Sequence, residues 1–344
     1  MASLASTLLR SGRTKGWGCV RPHLRLGCPA SSRLLYSTNS RLSHAVTTLL
    51  APDLSYSQNV DHVGLVARHL EQDGILRITL GFRDDASRYL EGLIRSLHAH
   101  HGHRLPLAHS ATRGWFWDVR PSFGATSSFQ TAHHHQARSE TMDEFPWHTD
   151  CSYEYPPPRY FALQVLRADR FGGGTLSVLS AARLGAHLDA ATRATLMRGD
   201  AFRIAIPAEF VKDPAAPTAI RGRLLVADAQ GRPGLIRFRE DIVTPLDEAA
   251  AAALKALKAA IQHLAAQEHE TMHFAAADLP AGSVILLDNR RWLHARNEVT
   301  DPERHLRRVR WDAAPFPGME ETTEELLTEA EQAEQAKVSD RKAA

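Results

Sequence analysis

Phe145-Pro146-Trp147-His148-Thr149-Asp150 is the stretch on which the reading of this 344-residue chain turns. Proline and two aromatics ahead of the histidine favour extended backbone, where residues i and i+2 share one face and can grip a single metal ion. His-x-Asp alone is weak, because 19 His and 39 acidic residues in 344 positions give about two such matches by chance. A rival pair, His187-Leu188-Asp189, lies in a segment of helical composition at 181–196. On a helix, i and i+2 point to nearly opposite sides, so that pair is not expected to chelate.

Downstream of the motif, short strands are predicted at 160–166, 175–179, 202–206, 223–227, 235–238, 283–287 and 304–311. Strands so short and so numerous predict a mainly β fold with flanking helices, built as a sandwich or a jelly roll. An Asp-Ala-Gln-Gly turn at 228–231 joins two of them as a hairpin. Upstream, a helix at 60–70, a strand at 75–80 and a helix capped by Asp84 running to about 98 are predicted. Two helical insertions, 181–198 and 246–267, are expected outside the barrel, the second opened by Pro245 with Asp247 and Glu248 in its first turn. Residues 98–138 lack periodicity apart from Trp115-Phe116-Trp117 and read as long loops, a common form of active-site cover.

The ends of the chain differ from its middle. Residues 1–52 carry six Arg and one Lys and no acid, which is the Arg-rich, Ser-rich signature of a mitochondrial transit peptide. Arg33-Leu34-Leu35-Tyr36-Ser37 is read as the cleavage region, giving a transit peptide at 1–37, a single domain at 38–317 and an acidic tail at 318–344 that is disordered or a frayed helix. Cleavage takes the formal charge from +2 to −4, which argues against a nucleic-acid partner, and the expected address is the mitochondrial matrix. No apolar run is long enough to span a membrane. Cys19 and Cys28 leave with the presequence; alternation along a strand would turn the remaining Cys151 away from the metal.

Two imidazoles and one carboxylate with open positions form the facial triad of non-haem Fe(II) oxygen chemistry, and His294 is the distant third ligand. Such a centre leaves room for 2-oxoglutarate, whose distal carboxylate needs a permanently charged, planar partner. Arg308, on a predicted strand 14 positions beyond His294, is placed to supply it.

Three motifs occur in order: Trp147-His148-Thr149-Asp150, then Gly172-Gly173-Gly174-Thr175, then Asp288-Asn289-Arg290-Arg291-Trp292-Leu293-His294 followed by Arg304 and Arg308. Over roughly 75–311 the chain resembles the Fe(II)/2-oxoglutarate-dependent dioxygenases of the taurine dioxygenase and clavaminate synthase type, the TauD/TfdA family. The resemblance implies a double-stranded β-helix core of the jelly-roll, cupin-like kind, that His148, Asp150 and His294 bind Fe(II), and that Thr175 and Arg308 bind 2-oxoglutarate. Arg304 matches a second family arginine, assisting the cosubstrate or facing the substrate. It further implies conversion of 2-oxoglutarate and O2 to succinate and CO2 with oxidation, by default hydroxylation, of a small metabolite. No catalytic group beyond the metal centre is expected.

Arg113, Trp117, Glu144 and Tyr153 flank the expected pocket mouth and are the substrate-contact candidates. His133-His134-His135 reads as a solvated loop, since adjacent side chains diverge. Expected partners are the small-molecule substrate and O2, with a second copy of the chain left open. Two alternatives stand beside this reading. His-Thr-Asp-x-x-Tyr and the mitochondrial address are shared with trimethyllysine and butyrobetaine hydroxylases, for which Trp117, Tyr153 and Tyr155 would cage a quaternary ammonium. Those enzymes carry a Cys-rich zinc domain, which a chain with one mature cysteine lacks. The other alternative is a non-enzymatic metal-binding jelly-roll protein.

Overall fold

The computed structural model describes residues 46–106, 114–121, 137–207, 210, 218–228 and 230–316, and the backbone of 325–327. The N-terminal part contributes β1 (Thr48–Ala51), α1 (Val60–Gln72), β2 (Ile75–Leu80) and α2 (Arg88–His101). β3 (Trp117–Val119) and β4 (Phe145–His148) lead to the long β5 (Pro158–Arg167) and to β6 (Leu176–Ser180). Two short helices, α3 (Ala181–His187) and α4 (Ala190–Leu196), follow, then β7 (Phe202–Ala205), β8 (Ala219–Gly222), β9 (Leu225–Ala227), β10 (Pro233–Ile236) and β11 (Val243–Pro245). The chain continues through α5 (Glu248–Ala265), β12 (Thr271–Phe274), β13 (Ser283–Asp288), β14 (Trp292–Arg296), β15 (His305–Ala313) and β16 (Glu325–Leu327).

Two sheets make the jelly roll. One has six strands in the order β1-β2-β13-β5-β15-β3, the other four in the order β12-β6-β14-β4. β13 is buried along its whole length, and its apolar residues divide between two cores because successive side chains point to opposite faces. Ile285 and Leu287 meet Phe161, Val165 and Leu306 and, from the smaller sheet, Leu176, Val178 and Trp292. Val284 and Leu286 pack on the outer side with Val63, Val66 and Leu70 of α1 and Leu90, Leu93 and Leu97 of α2. A third core joins Leu179 and Leu293, on the outer side of the smaller sheet, to Leu184 of α3 and Leu257, Ile261 and Leu264 of α5.

Most predicted elements are present with shifted ends. Asn59 caps α1, and Asp84 accepts from the backbone N–H of Arg88 and Tyr89, so it closes the start of α2 from outside the helix. β9 and β10 form the expected hairpin across 228–231. The 181–198 helix is instead broken at Leu188, and Asp189 caps α4 by accepting from Thr192. His187 and Asp189 therefore straddle a helix break, and His187 stacks on His263, rather than lying on opposite sides of one helix. The described part of the acidic tail is not helical: β16 pairs antiparallel with β8. Arg113 and His133 to His135 lie outside the described residues. Among those described, no helix is long and apolar enough to cross a membrane.

Candidate metal centre

β4 and β14 bring the ligands together: they run antiparallel with His148 opposite His294. Asp150 lies just past the end of β4, in a turn rather than on the extended chain expected for it. His148 Nε2 is 3.7 Å and His294 Nε2 is 3.8 Å from Asp150 Oδ1, and all three residues are buried. Among the described residues this is the one group of His, Cys, Asp or Glu with metal-holding spacing. Aromatic packing fixes both imidazoles. Phe145 stacks on His148 at 3.7 Å, and Phe161 lies against His294 at 4.6 Å between centroids.

The donor chemistry fits a divalent ion. The Pro146 carbonyl only accepts, so the 2.7 Å bond to His148 Nδ1 places the proton there and turns the Nε2 lone pair toward the centre. Burial, reinforced by the nearby His294, pushes His148 down to about 4 against the pull of Asp150, keeping the ring neutral. Burial alone would raise the Asp150 carboxyl, but Arg308 and the two histidines outweigh it and hold the carboxyl well below the usual range. Asp150 Oδ2 and His294 Nδ1 are buried without hydrogen-bond partners. The neutral His148 ring, the His294 imidazole beside it and an anion with an unused oxygen form a set that a metal would complete.

The turn carrying Asp150 is clamped from two sides. Asn289 Oδ1 accepts the Asp150 N–H at 2.7 Å, while Asn289 Nδ2 donates to the Asp150 carbonyl at 2.8 Å and the Pro158 carbonyl at 3.0 Å. The Thr149 N–H donates to Phe238 O at 2.7 Å, and Thr149 Oγ accepts from the Phe238 N–H at 3.1 Å. Cys151 is buried beside the ligand with φ of 52°, so the chain leaves extended geometry there. The thiol points to Tyr153 Oη at 3.6 Å because of that left-handed turn, not because of strand alternation.

A cavity runs from His148, Asp150 and His294 between the sheets to Arg304, past Phe161, Leu163, Val165, Leu176 and Leu306. Arg308 lies at its metal end, its Nη1 donating to Asp150 Oδ1 at 3.1 Å, with Nε buried and unpartnered. Arg304 lies at the other end, donating through Nη2 to the Gly174 carbonyl at 3.3 Å while Nη1 is buried and unpartnered. Burial, then the neighbouring Arg296, lowers Arg304 to about 10, so it remains charged at neutral pH. Gly174 has φ of 67°, and a Cβ there would fall 2.6 Å from Arg304 Nε, so glycine is what lets the guanidinium reach this depth. Thr175 is half-buried next to it, its N–H bound to Asn297 Oδ1 at 2.6 Å.

The four substrate candidates are dispersed. Trp117 is buried in the core between the sheets, Glu144 is exposed on β4's flank, and Tyr153 is buried in the third core, stacked on Phe210 at 5.2 Å. Arg113 lies outside the described residues. Arg239 pairs in a β-bridge with His148 but gives its guanidinium to Asp241 at 2.7 and 2.8 Å. Arg307, on the opposite face of β15, is bound to Asp118 and to the Asp85 carbonyl. Asn289 and Phe145 stand in the quoted motifs without a predicted role, and Phe161 in none; Asn289 holds the Asp150 turn, while Phe145 and Phe161 pack on the His148 and His294 rings.

A jelly roll enclosing two histidines and an aspartate, with a buried arginine across an apolar cavity, defines a non-haem iron dioxygenase class of enzyme. A model of the taurine catabolism dioxygenase TauD, TfdA family matches residues 48–310, and the chain belongs to that family. Among solved structures, asparagine oxygenase (AsnO) is similar with 17% identity and a TM-score of 0.57, over 80% of this chain and 94% of that one. The same enzyme with Fe(II), 2S,3S-3-hydroxyasparagine and succinate gives 18% and 0.55, over 76% and 92%. The non-heme iron oxygenase OrfP with Fe and alpha-ketoglutaric acid gives 16% and 0.53, over 77% and 86%. These likenesses carry the fold. No curated protein matches the sequence.

Proposed function

We propose that this enzyme is an Fe(II)- and 2-oxoglutarate-dependent dioxygenase that hydroxylates a small metabolite. Bound Fe(II) would supply the O2 chemistry that couples decarboxylation of 2-oxoglutarate, to succinate and CO2, with oxidation of a substrate C–H bond. His148, Asp150 and His294 would hold the metal through one nitrogen each of the two imidazoles and the carboxylate. Arg304 receives the distal carboxylate of 2-oxoglutarate, with Thr175 beside it, and the apolar wall between it and Asp150 excludes water from the cosubstrate's chain. This assigns the anchoring role to Arg304 ahead of Arg308, which the Asp150 carboxylate already engages. The single observation that carries the reading is the buried, unpartnered Nη1 of Arg304 at the end of the cavity that the three ligands open.

The solved relatives that resemble this chain are described with hydroxyasparagine and hydroxy-L-Arg, which supports a small amino acid or related metabolite as substrate. A quaternary-ammonium cage from Trp117, Tyr153 and Tyr155 is not supported, because Trp117 and Tyr153 belong to different cores and Tyr155 is exposed. The acid-free, arginine-rich first 52 residues support a mitochondrial matrix address. N-terminal sequencing of the native protein would find a start near Ser37 or Thr38; a start at Met1 or Ala2 would refute the address. Anaerobic addition of Fe(II) and 2-oxoglutarate should produce a weak metal-to-ligand visible band. Folded protein that binds Fe(II) without giving that band would refute the oxygenase reading.

A further inference from the structure

We propose that Arg310 receives a carboxylate of the primary substrate, on the side of the metal centre away from the cosubstrate. The inference deepens the dioxygenase reading and rests on it. On β15, Leu306 lies opposite Val165, Arg308 opposite Leu163 and Arg310 opposite Phe161 of β5. Those three β5 residues line the cavity, and directly paired residues share a sheet face, so Arg310 faces the same interior. Phe161 in turn packs on the His294 ring, which puts the Arg310 row beside a metal ligand.

The order along the strand separates the roles. Arg304, just ahead of β15, lies by Gly174 away from the metal ligands, Arg308 is level with Asp150, and Arg310 comes one alternation further, roughly 7 Å along the strand from Arg308. It faces Glu154, which follows the ligand turn, and not the cosubstrate's end of the cavity.

Arg310 is also unusual in what it leaves unused. Its side chain is only 13% exposed, yet the guanidinium makes no hydrogen bond among the described residues. The nearest carboxylate oxygen, Glu154 Oε1, is 3.9 Å away, beyond hydrogen-bond reach. Other buried arginines here serve the fold: Arg290 donates to the carbonyls of Pro157, Ala314 and Pro315, and Arg296 to those of Thr141 and Asp143. Burial disfavours the Arg310 cation, with Asp150 opposing that effect, and Asp150 is itself a metal ligand already shared with Arg308. A mostly buried fork of five donors, with Glu154 beyond hydrogen-bond reach, is matched by a planar, bidentate anion entering beside it. A substrate bearing only a cation would meet Arg308 and Arg310 together and be repelled.

The test uses the Fe(II)- and 2-oxoglutarate-loaded protein without O2 and follows its visible band. The probes are the common L-amino acids, betaine and short dicarboxylates, each beside its methyl ester. At least one free acid is expected to shift the band while its ester does not. Arg310→Gln should retain the band and the affinity for 2-oxoglutarate but bind that acid about ten- to a hundredfold more weakly, and Arg310→Lys should recover part of the loss. Arg307→Gln, on the other face of β15, should respond to the acid as the parent does. The proposal is overturned if no free acid shifts the band, if acid and ester act alike, or if Arg310→Gln binds the acid undiminished. It is equally overturned if Arg310→Gln weakens 2-oxoglutarate instead, which would make Arg310 a cosubstrate residue. Loss of the band in the parent protein itself would refute the oxygenase reading and this inference with it.

Discussion

Replacing Asn289 by alanine tests how the metal site is held. The Asn289 side chain is buried and closes three hydrogen bonds of 2.7, 2.8 and 3.0 Å, two of them to the backbone of Asp150. Alanine leaves the Asp150 N–H and the carbonyls of Asp150 and Pro158 without that partner. An orphaned buried polar group costs about 1–3 kcal/mol, and water entering the vacated amide space offsets part of it, so we expect a loss of about 3–5 kcal/mol in unfolding free energy. The same change frees the turn that aims the carboxylate, and outer partners of metal ligands typically affect metal affinity by about ten- to a hundredfold. Asn289→Asp should be at least as damaging. It keeps an acceptor for the Asp150 N–H but sets an oxygen against two carbonyl oxygens. Urea unfolding of the metal-free protein and calorimetric titration with Co(II) measure the two effects separately. An alanine variant that unfolds within about 1 kcal/mol of the parent and binds Co(II) within about twofold would refute the clamp.

Asp150→Ala should abolish tight Fe(II) binding, because it removes the one anionic ligand and leaves Arg308 facing two imidazoles without its 3.1 Å partner; calorimetry with Fe(II) under argon checks this. Arg304→Gln should raise the dissociation constant for 2-oxoglutarate about ten- to a hundredfold with Fe(II) affinity unchanged, as read from titration of the visible band. Equal loss in both constants would contradict its placement away from the metal. Gly174→Ala should weaken 2-oxoglutarate binding too, since the new Cβ would lie 2.6 Å from Arg304 Nε on backbone at φ of 67°, a conformation that costs a non-glycine residue about 1–2 kcal/mol. An alanine variant with parental 2-oxoglutarate affinity would show that Arg304 does not need that approach.

What could be read from the sequence follows the distance over which each feature is determined. His148 and Asp150 were legible because their pairing is local, and β13 because Val284, Ile285, Leu286 and Leu287 are apolar on both faces of a central strand. The partners of β13 were not legible: it pairs with β2 and β5, far away in the chain, and registers of that kind are chosen by the packed core. The break between α3 and α4 had a local signal, Asp189 followed by Thr192, which helical composition concealed. Asn289 gave none, since what it holds is the backbone of a residue 139 positions earlier. The arginines show most clearly where pattern reading stops. Alternation places Arg308 and Arg310 on one face of β15, with Arg304 just ahead of the strand, and spacing from His294 favoured Arg308 as the cosubstrate anchor. Their neighbours differ, and that difference is what the proposed roles rest on: the carboxylate of Asp150 engages Arg308, Gly174 accepts from Arg304 away from the metal, and Arg310 lies beyond Arg308 with no hydrogen-bonded partner among the described residues. Three residues of one type and one periodicity thus acquire different chemistry from the neighbours that the second sheet and the ligand turn bring to each.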